Sequence, residues 1–175
     1  MADQQDTLTE PRELAWQPDD HWQCVKRALR EAEQLCRSRG ARLTPVRKRV
    51  LQRVWDSHQP VGAYTLLDQY RERDASAAPP TVYRALGFLM EQGLGHRIAS
   101  RNAFMGYTHP GHSHDGQFLI CRSCGAAAEL DSAPVRQVLR QDARKPGFQV
   151  EAQTIEISGL CANCSASPAP NTTRI

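Results

Sequence analysis

The 175-residue sequence contains no uninterrupted apolar stretch near the ~20 residues that a membrane-spanning helix needs. Its first residues, Met-Ala-Asp-Gln-Gln-Asp, lack the basic and then apolar order of a signal peptide. Together these absences point to a cytoplasmic protein that does not meet a membrane. The sequence holds six cysteines, and in a reducing compartment these are read as thiols or metal ligands rather than disulfides. No His-Glu-x-x-His is present, and neither is the His-x-Glu with Pro-Cys-x-x-Cys of the nucleobase deaminases. Both absences argue against a zinc hydrolase or deaminase, and a binding protein rather than an enzyme is expected. At about 100–200 residues per domain, the chain has room for one or two small domains.

Net charge is also small, 22 Lys+Arg against 19 Asp+Glu for a total of +3. That figure hides an asymmetry. Residues 1–19 carry five acids and one Arg, residues 20–101 carry 15 Lys/Arg and eight acids, and residues 102–175 carry six of each. The basic stretch holds only Cys24 and Cys36, whereas Cys121, Cys124, Cys161 and Cys164 all fall in the neutral part. A polyanion-binding half joined to a metal-binding half follows from this split.

Residues 1–19 have no sustained period and are read as a mobile arm. Asp20 is a candidate cap for a helix to about Arg39, with Trp22, Val25, Leu29, Ala32 and Leu35 at helical spacing. Thr44-Pro45 marks a second helix, with Val46, Val50, Leu51 and Val54 inward, and a third runs from Ala63 to Arg73. Ala75 to Pro80 reads as a turn that opens onto a fourth helix, in which Val82, Leu86, Leu89 and Met90 share one face and Tyr83 and Arg84 point elsewhere. His96–Ala99 and Ala103–Tyr107 make a hairpin. Helices followed by a hairpin are the element order of a winged helix-turn-helix. Beyond it come a His-rich loop, strands at 117–121 and 126–130, and a helix from Ser132 with Val135, Val138 and Leu139 inward. A strand over Phe148–Ser158 is expected to contain a bulge, because its alternation slips by one position. From Ser165 onward the composition is that of a tail. The expected fold is α+β, a winged helix followed by a small α/β unit.

The chemistry rests on Cys121-x-x-Cys124-Gly125 and Cys161-x-x-Cys164. Each pair clasps one side of a tetrahedral ion, and a closed four-thiolate shell suits structural Zn²⁺ while leaving no open position for catalysis. A second constellation, His96, His109, His112, His114 and Glu129, offers imidazole and carboxylate donors for a more exchangeable zinc.

The motifs Arg42-Leu43-Thr44-Pro45-x-Arg47, Pro79-Pro80-Thr81-Val82-Tyr83-Arg84-Ala85-Leu86, His112-x-His114 and the two cysteine pairs resemble the ferric uptake regulator superfamily, and within it the zinc uptake regulator branch. The resemblance covers about residues 20–165. It implies a homodimeric, zinc-responsive repressor of zinc-uptake genes that binds near-palindromic double-stranded operator DNA. An iron- or peroxide-sensing repressor of the same superfamily is the alternative. It implies a winged-helix DNA-binding domain over 20–101, a hinge over 102–107 and a metal-binding dimerisation domain over 108–165, while composition alone marks 166–175 as a disordered tail. Two zinc ions per subunit are implied: a structural one on Cys121, Cys124, Cys161 and Cys164, and a regulatory one on His96, His114 and Glu129. DNA contacts carry over to Tyr64, Tyr83 and Arg84. The branch places a cysteine where this chain has Tyr107. A phenol with a pKa near 10 is a poor ligand at neutral pH, so Tyr107, His109, His112 or water remains open as the fourth regulatory ligand.

Overall fold

The computed structural model describes residues 21–56, 59–72, 78–107 and 116–166. The expected arm, the Asp20 cap and the loop with His109, His112 and His114 lie outside the described residues, as does the tail beyond Ala166.

Helix α1 (His21–Ser38) buries Val25, Ala28, Leu29, Ala32 and Cys36 along one stripe. Cys36 completes the buried row and the half-buried Leu35 packs against the same core, as expected; burial pushes the Cys36 thiol pKa up. Helix α2 (Pro45–Trp55) starts where the sequence indicates, with Pro45 in its first turn and the Arg47 amide donating to Thr44 Oγ1 at 3.4 Å. Strand β1 (Val61–Gly62) leads into α3 (Ala63–Arg71) and then α4 (Pro79–Glu91). Pro79 and Pro80 form the first turn of α4 rather than the end of a preceding turn. A first-turn proline loses no helix hydrogen bond and arrives with helical φ. Side chains from all four helices share one core that includes Leu29, Leu51, Leu66, Leu86 and Leu89.

Strands β2 (Gly95–Ile98) and β3 (Ala103–Gly106) form the wing, joined by a 3-10 turn at Ala99–Arg101 and a left-handed Asn102 with φ 46°. The sheet order is β1-β3-β2, antiparallel throughout. The expectation of a hinge over 102–107 is therefore corrected, since 103–106 is the central strand of this sheet. Strand β1 escaped the sequence reading because two residues carry no alternation.

The second half holds β4 (Gly116–Cys121), β5 (Ala127–Glu129), α5 (Ala133–Arg144), β6 (Thr154–Gly159) and α6 (Ala162–Ala166). Its sheet runs β5-β4-β6, with β6 parallel to β4 through the α5 crossover. The expected strand over 148–158 shrinks to 154–159, and no bulge is needed. Gly147 (φ 85°) closes α5 instead: its amide bonds Arg144 O and the Phe148 amide bonds Ala143 O, the paired reversed bonds of a Schellman cap. Phe148 is thus part of a helix ending. Helix α5 forms as expected, but Val135, Val138 and Leu139 are exposed, not inward, because no element of the described residues covers them. The tail is corrected by one residue, since Ala166 still belongs to α6. No helix of the described residues is long and apolar enough to cross a membrane.

Ile98 and Met105 of the wing pack on Phe118, Ile120 and Ala127 of the second sheet, with Phe118 and Ile98 fully buried. Gly106 passes so close to Trp55 that a Cβ would lie 2.3 Å from the indole ring. Gly106→Ala should therefore destabilise the protein by roughly 1–3 kcal/mol, the usual cost of overpacking a core. Denaturant unfolding of the zinc-loaded protein reads this, and an unchanged midpoint would show that Trp55 moves aside freely.

Candidate functional site

Because β4 and β6 run parallel and side by side, they end at the same edge. Cys121, the last residue of β4, is in register with Gly159, the last of β6, and Cys161 follows two residues later. The turn after Cys121 brings back Cys124, and α6 carries Cys164. All four sulfur atoms lie within 4.8 Å of one another, and Cys124 Sγ is 3.9 Å from Cys161 Sγ. Zn–S bonds of about 2.3 Å at tetrahedral angles place sulfurs about 3.8 Å apart. The cluster therefore fits a four-coordinate thiophilic ion. Amides of Cys124 and Cys161 point at Cys121 Sγ and lower its pKa to about 6, the thiolate character that metal ligation requires. Cys164 is raised to about 11: a hydrogen bond from Ser123 lowers it, but burial and its three sulfur neighbours outweigh that bond.

The second constellation is only partly visible. Glu129 on β5 and Phe118 on β4 are cross-strand partners and so share a face of the sheet. The His96 ring, from β2, packs edge-on against Phe118 with centroids 4.9 Å apart and against Tyr107 at 4.5 Å. His96 and Glu129 thus converge on Phe118, one from each half. Gly116, two residues beyond His114 in sequence, also touches this spot, since a Cβ on it would lie 3.2 Å from His96 Cε1. Among the described residues, only the four cysteines group three or more potential metal ligands.

Tyr64 on α3 and Tyr83 on α4 are exposed at 72% and 47%, large aromatic surfaces that water alone does not favour. Arg84 beside Tyr83 is exposed and has no ion-pair partner among the described residues. Arg47, by contrast, lies 3.5 Å over the Phe88 ring and donates to Arg42 O, a structural role. Sequence reading missed the contacts that join the halves. The Glu156 carboxylate accepts from the amides of Ala99 and Ser100, Arg101 Nη2 donates to Cys121 O at 2.9 Å, and Gln59 Nε2 donates to Cys124 O at 3.1 Å. The available signal was a lone carboxylate within Ile155-Glu156-Ile157.

The ferric uptake regulator family matches residues 38–158. The zinc uptake regulation protein of Escherichia coli (strain K12) is 40% identical over 137 residues, 78% of this chain and 80% of that one. Among solved structures, holo XcZur is 48% identical over 79% of this chain and 97% of its own, with a TM-score of 0.75. A zinc uptake regulator complexed with zinc and DNA is 38% identical over 81% and 95%, with a TM-score of 0.77. Apo XcZur, 45% identical over 82% and 99%, overlays with a TM-score of only 0.50. Identity and coverage barely change between the two XcZur states. This chain therefore overlays better on the holo structure than on the apo structure.

The two candidate metal sites share no ligand, so they should separate by mutation. His96→Ala should leave one tightly held zinc per chain and an intact fold. Cys121→Ala should lose that zinc and unfold the second half, since structural zinc supplies roughly 10–16 kcal/mol in small domains. Zinc analysis with circular dichroism checks both; equal zinc loss in the two variants would contradict separate sites.

Proposed function

Since the chain belongs to the ferric uptake regulator family, we propose that it is a zinc-responsive transcriptional repressor that binds operator DNA as a zinc-loaded dimer and represses zinc-uptake genes. The observation that carries this reading is the likeness, at 38–48% identity and over most of the chain, to zinc uptake regulators, one of them solved on DNA. The same likeness favours zinc over the iron- or peroxide-sensing alternative. A cytoplasmic location and the absence of catalysis go with it. A four-thiolate cluster has no open coordination position for a substrate.

In this reading Cys121, Cys124, Cys161 and Cys164 hold a structural zinc, and His96, His114 and Glu129 hold a regulatory one, with His112, His109 or Tyr107 as fourth ligand. Bound there, zinc supplies a cross-link between the wing and the second sheet. The residues around it do the rest. Phe118 and Tyr107 fix the His96 ring, β5 presents Glu129 on the same face, and the angle between the halves is set at their junction. Only a difference in metal affinity between closed and open arrangements can shift their balance, and such couplings are typically about 1–3 kcal/mol.

The exposed apolar row of Val135, Val138, Leu139, Phe148, Ile157 and Leu160 fits a second copy of the chain. A two-fold dimer presents two α4 helices, and therefore a near-palindromic target. Tyr64, Tyr83 and Arg84 are the proposed DNA contacts, with Arg84 suited to guanine.

A duplex selected from a random-sequence pool by the zinc-loaded protein supplies the probe. Binding to it should rise with zinc and not with ferrous iron; iron-driven binding would return the alternative. On that duplex Arg84→Ala should lose about 1–3 kcal/mol of discrimination over random DNA, whereas Arg122→Ala should change nothing. Equal losses on both DNAs would reduce Arg84 to a phosphate contact.

A further inference from the structure

The face of the second sheet that meets the wing carries a row of three side chains in register: Glu129 on β5, Phe118 on β4 and Glu156 on β6. Glu129 flanks Phe118 on the side of the proposed regulatory metal. Glu156 flanks it on the other. Its Oε1 accepts from the Ala99 amide at 2.6 Å and its Oε2 from the Ser100 amide at 3.0 Å. These amides open the 3-10 turn of the wing, where helical geometry leaves N–H groups without an internal acceptor. A carboxylate bridging two consecutive amides makes two charge-assisted hydrogen bonds. Burial alone would raise the carboxyl pKa, but the Ser100 hydroxyl and both amides outweigh burial and hold it below its ordinary value. The group is ionised at neutral pH and pulls on the wing turn continuously.

Among the described residues the apolar contact between the halves is one small cluster, Ile98 and Met105 against Phe118, Ile120 and Ala127, with the buried Tyr107 and the His96 ring beside it. A single greasy contact fixes separation but leaves rotation about it. With neighbouring strands about 4.8 Å apart, Glu129 and Glu156 stand roughly 10 Å from each other. Two attachments at that spacing remove the rotation that one permits. Arg101, the last residue of the same wing turn, donates to Cys121 O on the knuckle and holds the turn from a third direction.

We propose that Glu156 is a positioning residue for operator binding: it latches the wing turn at Ala99–Ser100 to the second sheet, so that metal ligation across Phe118 sets the angle between the halves against a fixed pivot. Glu156 is not among the proposed metal ligands or DNA contacts; its partners are the Ala99 and Ser100 amides. It acts on the operator through the wing and on the regulatory site through the shared strand face. The assignment rests on the repressor reading above for its consequence, though not for its geometry.

The test uses the full-length, zinc-loaded protein as wild type, Glu156→Ala and Glu156→Gln. Three quantities are read: amide exchange by NMR, zinc per chain, and affinity for the selected duplex. In Glu156→Ala, exchange at Ala99 and Ser100 should quicken at least about tenfold while β4–β6 amides keep their protection. Zinc content should stay at the wild-type value, and duplex affinity should fall about tenfold, within the 5–150-fold range of such couplings. Glu156→Gln keeps one strong acceptor oxygen and should fall between the two. Unchanged exchange at Ala99 and Ser100 overturns the latch. So does quickened exchange with full duplex affinity, and so does uniform loss of protection, which would make Glu156 a folding residue only. If the wild type shows no zinc-dependent binding, the repressor reading fails while the exchange data still decide the latch.

Discussion

The junction between the wing and the second sheet is built around the buried ring of Phe118. Its side chain is wholly buried and touches the His96 ring, while its strand partners on either side are two carboxylates. Burying one aromatic ring stabilises by only about 1.5–3 kcal/mol. The junction is therefore strong enough to have a preferred geometry and weak enough for a few ligand bonds to bias it. A larger apolar interface would have locked the two halves permanently, and a fully polar one would have let them swing.

The cysteine cluster depends on a different constraint, the parallel pairing of β4 and β6. A hairpin would have put the two Cys-x-x-Cys pairs at opposite ends of the sheet. The α5 crossover returns the chain so that both strands finish at one edge, where the pairs meet. That edge is tied to the DNA-reading half by Arg101 and Gln59, each bonding a carbonyl of a cysteine residue in the first pair. A structural ion there would stiffen the platform on which the wing rests without sensing anything itself.

What the sequence revealed divides by range. Thr44-Pro45, the Val82–Leu89 stripe and the Cys-x-x-Cys spacings are local patterns, and each formed where local physics put it. Phe148 misled because alternation was counted across a helix cap, whose reversed hydrogen bonds leave little trace beyond Gly147. The α5 stripe was legible as helix but not as exposed, since an apolar stripe does not say which element, if any, packs on it. Glu156 was invisible for a deeper reason. Its partners are backbone amides 56 and 57 residues away, and backbone has no letter. His96 and Glu129 entered as a donor set by composition and as ligands by family likeness. Their convergence on Phe118 needed the register of β4 with β5.

The central claim is that one of two zinc sites is thermodynamically linked to DNA while the other is not. Zinc binding isotherms of the full-length dimer, recorded with and without the selected duplex, test it most directly. Linkage requires that DNA tighten the weaker zinc class by the same factor by which zinc tightens DNA binding, about 5–150-fold, and leave the four-cysteine class unmoved. Isotherms that superimpose with and without DNA would contradict the account.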